Sequence, residues 1–541
     1  MSDTYDIVVI GTGAAGLSAA LTASVSGASV GLFDKSATVG GTTAVSGGVV
    51  WLPAHERPDV DQPPTVDEAL RYLHSTSHGK MNDALTEVFV NSAAGVVQFI
   101  EEHSPVRFSV AEGFPDYKPE FPGGRAQGGR SFNPAPFDYA QLGDWATRVT
   151  AFPRDWSDVG FDAETRKRMW GDTFEQLGHD ADIRVTGAAL VGGILRALLD
   201  RGVVPQPRNR AVELLLEEGG VKGVALETPE GHKEVTARRG VILAAGGFEW
   251  DQELVRAFLR GPMNGPISPP NNTGDALRMS MKAGALLGNM SEAWWAMVVS
   301  LPGDVFQGHQ RSRSVRLERT RPRSIMVNRG GHRFANEAAD YNSLGGAFHQ
   351  LNENTFDYSN IPAWIVFDHR HLEMYGFLGV QAGDEIPEWF HRSADLAQLA
   401  GRLEIDADQL SATVARWNRN VAEGHDPDFG RGISAYDSWW GDRSAPTLAG
   451  ATLGPIDDAP FYAVRIDIGC TGTKGGPRTD ENGQVLHVDG HPIRGLYAAG
   501  NAMASPTGMT YGGAGGTIAP ALVWGHLAAA HAVSAHAGAL V

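Results

Sequence analysis

The chain has 541 residues, of which 42% are hydrophobic and 20% charged, a composition typical of a globular protein with two or three domains. Its formal net charge of -18 argues against nucleic acid or anionic membranes as the main partner. A single cysteine, Cys470, excludes an intramolecular disulfide framework and a CxxC metal site, and it suits the reducing cytoplasm, where we expect the protein.

The sequence gives no sign of a membrane span, a targeting segment or a metal site. No apolar run approaches the length of about 18 residues that a spanning helix needs. The first predicted strand begins within the first few residues, so we expect no signal or transit peptide. The scattered histidines form no metal-binding pattern, and we expect no metal.

The N-terminal segment combines a strand, a glycine turn, a helix, a second strand and an acid. An apolar run is followed by the pattern GxGxxG, formed by Gly11, Gly13 and Gly16. An alanine-rich segment and a second apolar run come next, and Asp34 ends that run. The glycines permit close approach to a pyrophosphate, the helix start offers free N–H groups, and the acid accepts hydrogen bonds from a ribose. This segment predicts dinucleotide binding.

A second cluster of small and hydroxyl-bearing residues, VGGTTAVSGGVVW, occupies residues 39–51. An NAD-binding domain does not need such a cluster, whereas a dinucleotide that extends a flavin ring past the first turn does. Small residues let the chain lie against the ring, and hydroxyl and N–H groups bond its polar edges. The cluster therefore favours FAD, with an ordinary flexible loop as the alternative.

Two later segments are predicted to return to the same sheet. Residues 238–248 and 493–502 are apolar runs that end in glycine turns. The C-terminal GGAGGTIAPALVWGHLAAAHA predicts a glycine turn that opens a final helix, with its N-terminus facing the flavin. We therefore predict an α/β fold. A Rossmann-like FAD-binding domain comprises residues 1–292 and 473–541, and an α+β catalytic domain, residues 293–472, is inserted into it.

Within and around the inserted domain, the sequence predicts a few further elements. IPAWIVFDHR predicts a strand, and DADQLSATVARWNRNVAEG predicts an amphipathic helix capped by Asp or Ser. Residues 53–65 and 115–138 are rich in Pro, Gly and Asp and predict loops, the second over the active site. Trp294 and Trp295, in SEAWW, either line an apolar substrate slot or pack between the domains.

Six arginines lie close together in RSRSVRLERTRPR, residues 311–323. Such a cluster is not expected in a pocket for a neutral ligand, so the favoured interpretation is a solvated or subunit-facing segment. The alternative is a clamp for a carboxylated substrate, because arginine binds carboxylates bidentately.

Taken together, the motifs resemble a known flavoprotein family. They occur in the family's order over nearly the whole chain: GTGAAG, GGTTAVSGG, FPDY, LAAGGFE, SEAWW, GGHRFANEAADY, GTKGGPRTD and LYAAGNAMASPTGMTYGGAGG. The chain resembles the fumarate reductase and 3-ketosteroid dehydrogenase flavoproteins, and most of all the 3-ketosteroid Δ1-dehydrogenases. The resemblance implies a small-molecule ketone substrate, and loss of a proton and a hydride from adjacent carbons beside a ring ketone. We expect the FAD to be non-covalent, because no histidine or cysteine sits at an obvious tethering position, and we expect an external electron acceptor, because the sequence has no haem or iron–sulfur ligand set.

The resemblance also implies roles for four residues. Tyr511 matches the tyrosine whose hydroxyl bonds the ketone oxygen, and Gly515 matches the glycine whose N–H bonds the same oxygen. Tyr341 matches the base that removes the proton, and Tyr117 matches the tyrosine that assists it. Two donors aimed at one oxygen form an oxyanion hole. A second phenol helps to ionise a base whose free pKa is about 10, so we expect an alkaline optimum.

The predicted FAD-binding residues come from the glycine clusters and from positions that the resemblance matches. They are Gly11, Gly13, Ala14, Ala15, Gly16, Asp34, Lys35, Gly41, Thr42, Thr43, Ser46, Gly47, Gly48, Ala211, Val212, Ala245, Gly246, Gly500, Asn501, Gly516, Thr517 and Ile518. Two other functions stay open at this point: a flavoprotein reductase of an activated alkene, either fumarate-like or an enone, and a non-catalytic flavin-binding protein or electron carrier. A smaller cyclic ketone also stays open as the substrate.

Overall fold

The structure is a computed structural model and describes residues 3–152, 182–217 and 220–535. In the described residues, the first sheet has seven strands. Five follow the order Val30–Phe33, Asp3–Ile10, Gly231–Leu243, Pro492–Ala498 and Gln484–Leu486, and Gly220–Thr228 and Arg210–Glu217 extend it from Gly231–Leu243. The first four strands in this order pair in parallel. The predicted return of residues 238–248 and 493–502 to the N-terminal sheet is confirmed.

The parallel strands are buried because helices cover them. Ile7, Val8 and Val9 are inaccessible to solvent, as expected for a continuous apolar run with both faces covered. Helices Ala14–Val25 and Ile518–Ser534 pack closely against each other, and the Ser18 hydroxyl donates a hydrogen bond of 2.7 Å to the Leu522 carbonyl. The final helix opens after a glycine turn, as predicted.

A second sheet in the described residues also has seven strands. Its main order is Arg313–Ser314, Ala293–Val299, Phe461–Thr473, Ala363–Asp368 and Ser324–Asn328, and Gly265–Pro266 and Phe390–Ser393 also pair with Phe461–Thr473. A small third sheet joins Val50–Trp51, Gly128–Pro134 and Phe108–Glu112. Short pairs are formed by Phe137–Asp138 with Ile183–Arg184, Leu287–Gly288 with Gly476–Pro477, Val305–Phe306 with His309–Gln310, and Leu351–Asn352 with Asp357–Tyr358.

The remaining α-helices of the described residues connect and cover these sheets. They are Gly41–Ala44, Val66–Thr76, Asp83–His103, Thr186–Asp200, Gln252–Phe258, Asp275–Lys282, Leu317–Thr320, Tyr341–Phe348, His369–Tyr375, Leu396–Leu403, Ala407–Ala422 and Ala435–Trp439. None of the helices in the described part of the chain has the length and apolar composition that a membrane span requires.

Three local predictions can be compared with these elements. The strand in IPAWIVFDHR and the helix in DADQLSATVARWNRNVAEG are confirmed as Ala363–Asp368 and Ala407–Ala422, and Asp406 caps the helix. The loop predicted over residues 115–138 is wrong in part, because Gly128–Pro134 forms a fully buried strand. That strand tolerates its polar residues because Arg130 pairs with the buried Asp116 at 2.5 Å.

Candidate active site

A large cavity lies at the carboxyl ends of the parallel strands of the first sheet. Ile10, Ala244 and Ala499, at or just after the ends of three of these strands, line it, and so do Ala296 and Thr471 on strands of the second sheet. Open α/β sheets bind ligands at the carboxyl ends of their strands. The cavity therefore joins the predicted dinucleotide site to the inserted part of the chain.

Most of the residues predicted to bind FAD line this cavity. They are Gly11, Gly13, Ala14, Ala15, Asp34, Lys35, Gly41, Thr42, Thr43, Ser46, Gly47, Gly48, Ala211, Ala245, Gly246, Gly500, Asn501, Thr517 and Ile518. Three predicted residues do not line it. Gly16 packs against the Gly11 carbonyl, Val212 follows Ala211 on a strand and therefore points to the opposite face, and Gly516 faces the Tyr511 ring.

The glycine turn has the shape that a pyrophosphate requires. Gly11 has a φ of +110°, and a Cβ there would collide with the Ala244 carbonyl. A Cβ on Gly13 would meet only the Thr43 hydroxyl at 3.5 Å, so this position is open toward the cavity. The N-terminus of helix Ala14–Val25 faces the same place, with the Ala14 N–H donating to the Thr43 hydroxyl at 2.9 Å. These residues fit FAD, whose bound ring accepts a hydride in dehydrogenation.

Asp34 is half-buried at the far end of the cavity and is held in place by its neighbours. It accepts hydrogen bonds from the Thr12 N–H at 3.0 Å, the Thr12 hydroxyl at 2.5 Å and the Ser36 N–H at 2.9 Å. Burial raises the pKa of the Asp34 carboxyl, which these hydrogen bonds oppose. An ordered acid here suits recognition of a ribose hydroxyl.

Sequence analysis missed a polar edge of the cavity. Ser268, Asn271, Asn272 and Asp275 line it, and Asp275 forms an ion pair of 2.7 Å with Lys35. The available signal was the stretch SPPNNTGD, residues 268–275, which combines turn residues with side-chain amides and an acid. Because this stretch lies more than 200 residues after the N-terminal glycine motif, the sequence alone did not indicate that the two line the same cavity.

Three tyrosines meet at the other end of the cavity; Tyr117 and Tyr341 are buried, and Tyr511 is partly buried. The Tyr117 and Tyr341 hydroxyl oxygens are 2.7 Å apart, which is hydrogen-bond distance. The Tyr511 ring lies 4.9 Å from the Tyr117 ring and 5.6 Å from the Tyr341 ring, measured between centroids. All three side chains line the cavity, and so does Gly515. The four residues that the family resemblance singled out therefore lie together.

The Tyr511–Gly515 loop is fixed by contacts from three separate parts of the chain. The Gly512 carbonyl accepts hydrogen bonds from the Tyr72 hydroxyl at 2.7 Å and from the Tyr117 N–H at 3.0 Å. Gly515 has a φ of +97°, and a Cβ there would lie 2.5 Å from the Val49 carbonyl oxygen. Its N–H has no hydrogen-bond partner among the described residues. The loop can therefore present a hydroxyl and a free N–H to one ligand oxygen.

An ion pair fixes the Tyr117–Tyr341 contact from the side. Tyr341 opens helix Tyr341–Phe348, and Asp340 caps that helix by accepting from the Ser343 N–H at 2.9 Å. The ammonium of Lys118 lies 2.7 Å from the Asp340 carboxylate. Lys118 follows Tyr117 in the chain, and Asp340 precedes Tyr341. Their ion pair therefore helps to keep the two phenol hydroxyls within hydrogen-bond distance.

The three phenols differ in how easily they ionise. Burial raises the pKa of Tyr117 and of Tyr511 well above the ordinary value of 10.0. Burial also raises the pKa of Tyr341, but the nearby Arg316 guanidinium and hydrogen bonds to Tyr117 and Tyr511 lower it. Tyr341 is therefore the phenol best placed to give a phenolate, which a general base requires.

The chain matches known proteins over almost its full length. Residues 6–518 match the FAD binding domain family. The chain is 38% identical to the 4-oxocyclohexanecarboxylate 2-dehydrogenase of Sinomonas cyclohexanicum, covering 97% of this chain and 92% of the relative. It is 37% identical to the 3-oxosteroid 1-dehydrogenase of Mycobacterium tuberculosis (strain ATCC 25618 / H37Rv), covering 97% and 98%.

The solved structures agree with these relatives. The 3-ketosteroid Δ1-dehydrogenase of Sterolibacterium denitrificans, solved with 1,4-androstadiene-3,17-dione, has a TM-score of 0.90 and 32% identity, covering 99% of this chain and 100% of that one. The chain belongs to the 3-ketosteroid Δ1-dehydrogenase family of flavoproteins. It is an FAD-dependent oxidoreductase that acts on CH–CH bonds, and the predicted family, fold class and cofactor are confirmed.

In this family member, the two tryptophans of SEAWW pack and do not line the cavity. The Trp294 ring lies 4.7 Å from the Tyr511 ring, and its N–H donates to the Asn501 side chain at 3.1 Å. The Trp295 N–H donates to Glu292 at 3.3 Å. Both side chains therefore contact protein neighbours and do not form an apolar substrate slot.

Residues 311–323 were predicted to form a solvated or subunit-facing segment, and the solvated alternative is wrong. Arg311 and Arg313 both pair with Asp304, at 3.3 Å and 2.6 Å, and only 11% of each side chain is exposed. Arg319 is buried and donates to the Ala339 carbonyl at 2.9 Å, close to Tyr341. Arg316 lines the cavity. Side-chain burial of this kind depends on distant partners, which arginine spacing does not reveal.

One cluster outside the cavity has metal-compatible spacing. Among the described residues, His487, Asp489 and His491 each offer one ligand atom, and these atoms lie within 4.8 Å of one another. None of the three lines the cavity. The chemistry of the tyrosines therefore does not involve this group.

Removal of the Lys118 charge should slow the reaction without emptying the flavin site. We expect Lys118→Met to reduce the rate of anaerobic FAD reduction by ketone about 10- to 100-fold, since a displacement of about 1 Å can cost about 100-fold. The rising limb of the rate–pH profile should also move to higher pH, because a weaker Tyr117–Tyr341 hydrogen bond lowers the pKa of Tyr341 less. Lys118→Arg should restore most of the rate, and Lys222→Met, at an exposed site, is the control. An unchanged rate and profile would show that the ion pair does not position the phenols.

Proposed function

We propose that this chain binds FAD non-covalently and dehydrogenates the carbon–carbon bond beside the ketone of a cyclic substrate. The supporting observation is the position of the Tyr511 hydroxyl and the Gly515 N–H in one cavity with the Tyr117–Tyr341 pair. Tyr511 and Gly515 hold the ketone oxygen, and Tyr341 takes a proton from the adjacent carbon. The next carbon loses a hydride, and a carbon–carbon double bond forms between the two.

Each half of this arrangement performs a separate task. A hydroxyl and an N–H that share one oxygen stabilise the negative charge that the oxygen gains when the adjacent C–H bond ionises. Tyr341 needs a partner to hold its phenolate, and the Tyr117 hydroxyl lies at 2.7 Å. Tyr117 and Tyr341 are buried and Tyr511 is partly buried, which limits the access of water to the phenols and strengthens both interactions.

Two substrate classes fit this chemistry, because relatives of similar identity are named for a steroid and for a monocyclic ketone. The first is a 3-ketosteroid, and the second is 4-oxocyclohexanecarboxylate or a similar small ring. We further propose an FAD-binding part, residues 1–292 and 473–541, and a catalytic part, residues 293–472. An external acceptor reoxidises the flavin, and the single buried cysteine suits a cytoplasmic location.

An anaerobic reduction assay tests the proposed function. Holoenzyme is mixed without oxygen with 4-androstene-3,17-dione, 4-oxocyclohexanecarboxylate or cyclohexanone, and the flavin absorbance is followed. We expect at least one ketone to bleach the flavin and to yield a product with one additional carbon–carbon double bond conjugated to the ketone. If no ketone bleaches it and photoreduced enzyme is instead reoxidised by fumarate, the protein is an alkene reductase.

The mode of FAD attachment is tested on the same preparation. We expect acid or heat to release all of the FAD, because none of the described residues that line the cavity is a histidine or a cysteine, the usual sites of covalent attachment. Flavin that stays with the precipitated protein would contradict this expectation.

A further inference from the structure

Arg316 brings a positive charge into the cavity beside the tyrosines. It precedes helix Leu317–Thr320, and its guanidinium carbon lies 4.9 Å from the centre of the Tyr341 ring and 4.8 Å from that of Trp440. Arg316, Tyr341 and Trp440 all line the cavity. The guanidinium therefore stands close to the base and within reach of a ligand in the cavity.

This guanidinium has no anionic partner among the described residues. It forms no ion pair or hydrogen bond with them, and its Nε is buried without a partner. The ionisable groups that face it are the phenols of Tyr117, Tyr341, Tyr436 and Tyr511, which are neutral when protonated. Its neighbours Arg311, Arg313 and Arg323 are all paired with aspartates.

An unpaired guanidinium whose Nε is buried is costly, so a ligand anion is expected to satisfy it. The pyrophosphate of FAD does not suit this role, because its predicted cradle is the glycine turn near Gly13. Arg316 belongs instead to the end of the cavity where Tyr511 and Gly515 would hold the ketone. The anion should therefore be carried by the substrate itself.

The walls beside Arg316 restrict what that substrate can be. Phe114 and Trp440 line the cavity, are buried, and pack against each other with ring centroids 5.5 Å apart. Ser314, two residues before Arg316, also lines it. This combination offers apolar faces for a ring, and a fork of N–H donors for a planar anion, the geometry that a carboxylate matches.

We propose that Arg316 binds a carboxylate on the substrate, so that this enzyme acts on cyclic oxo-carboxylic acids in preference to neutral ketosteroids. This inference rests on the proposed dehydrogenation of a cyclic ketone. Tyr511 and Gly515 hold the ketone, Arg316 holds the carboxylate, and the two contacts together fix which carbon faces Tyr341. Arg316 is thus a specificity-determining residue as well as a neighbour of the base.

The test compares an acid with its neutral analogue, because Arg316 also affects Tyr341. The two substrates are 4-oxocyclohexane-1-carboxylate and 4-oxocyclohexane-1-carboxamide, which differ only in the group that Arg316 would bind. Any effect of Arg316 on the base changes both rates equally and cancels in the ratio of their kcat/KM values. Holoenzyme of wild type, Arg316→Gln, Arg316→Lys and Arg313→Gln is measured, with FAD content and melting temperature recorded for each. Arg313→Gln is the matched control, since Asp304 keeps its contact with Arg311.

We expect wild type to prefer the acid, and Arg316→Gln to lower the acid-to-amide ratio about 10- to 100-fold, the usual worth of hydrogen bonds to a charged group. Arg316→Lys should keep part of the preference, and Arg313→Gln should keep all of it. Calorimetric titration with the acid should show the same loss of affinity in Arg316→Gln, independently of turnover.

Two results would overturn the inference while leaving the proposed function intact. One is wild-type enzyme that uses the amide or 4-androstene-3,17-dione as well as the acid. The other is an equal fall of the acid and amide rates in Arg316→Gln, or in Arg316→Lys if Arg316→Gln does not fold. That result would mean that the guanidinium stabilises only the Tyr341 phenolate and does not bind the substrate carboxylate. Failure of every ketone to reduce the flavin would overturn the proposed function, and this inference with it.

Discussion

Tyr511→Phe is expected to lower the rate of ketone-dependent FAD reduction by about 100- to 1,000-fold, the usual cost of losing one oxyanion-hole donor. The substitution keeps the ring that packs against Tyr117 and Trp294 and removes only the hydroxyl. The ketone oxygen would then keep the Gly515 N–H alone. FAD content and folding should be unchanged, because the Gly512 carbonyl keeps its hydrogen bonds from the Tyr72 hydroxyl and the Tyr117 N–H, which hold the loop.

Stopped-flow absorbance under anaerobic conditions measures this effect directly. The matched control is Tyr436→Phe, which removes a buried hydroxyl from a ring 5.0 Å from Tyr117 that does not line the cavity. Its rate should stay within a few-fold of wild type. A Tyr511→Phe rate equally close to wild type would remove Tyr511 from the ketone-binding role and leave Gly515 as the sole candidate donor.

The parts of the fold that the sequence predicted well are those fixed by local patterns. The turn at Gly11 and Gly13 and the strand Asp3–Ile10 follow from steric limits and from a continuous apolar run, which need no knowledge of distant residues. The return of Pro492–Ala498 to the same sheet was predictable for the same reason. Each of these elements carries its own signal.

The parts that were missed depend on partners far away in the sequence. The sequence predicts a loop at Arg130. In the structure Arg130 is buried on strand Gly128–Pro134, where its ion pair with Asp116 neutralises its charge. The local sequence around Arg316 does not differ in kind from that around Arg313. Only the folded structure shows that Arg316 lines the cavity whereas Arg313 pairs with Asp304. Neither hydrophobic periodicity nor secondary-structure propensity predicts which arginine forms an ion pair with a carboxylate.

The candidate tyrosines lie between these two extremes. Tyr117 and Tyr341 are 224 residues apart in sequence, and their hydroxyls meet at 2.7 Å. Their approach was expected only because their motifs resemble those of a known family. The ion pair that fixes them, between Lys118 and Asp340, has no sequence signature, because a lysine and an aspartate are common in any motif.

Tyr341→Phe is expected to lower the rate of FAD reduction by about 100- to 10,000-fold, the range that a positioned general base contributes. Ketone affinity should change little, because Tyr511 and Gly515 still hold the oxygen. Titration of the oxidised holoenzyme with ketone, followed by the flavin spectrum, measures that affinity separately from the rate. A rate equal to wild type would place the base elsewhere in the cavity, with the segment around Arg316 as the next region to examine.

The pH dependence separates the base from its assistant. Burial raises the pKa of Tyr341, so its phenolate fraction, and with it the wild-type rate, should still be rising with pH as alkaline conditions are reached. Tyr117→Phe removes a hydrogen bond that lowers this pKa, so the rising limb should move to higher pH while the limiting alkaline rate is largely kept. Tyr341→Phe should instead show a low rate with no rising limb. A Tyr117→Phe profile superimposable on wild type would show that Tyr117 does not assist ionisation, and would leave Arg316 as the group that favours the phenolate.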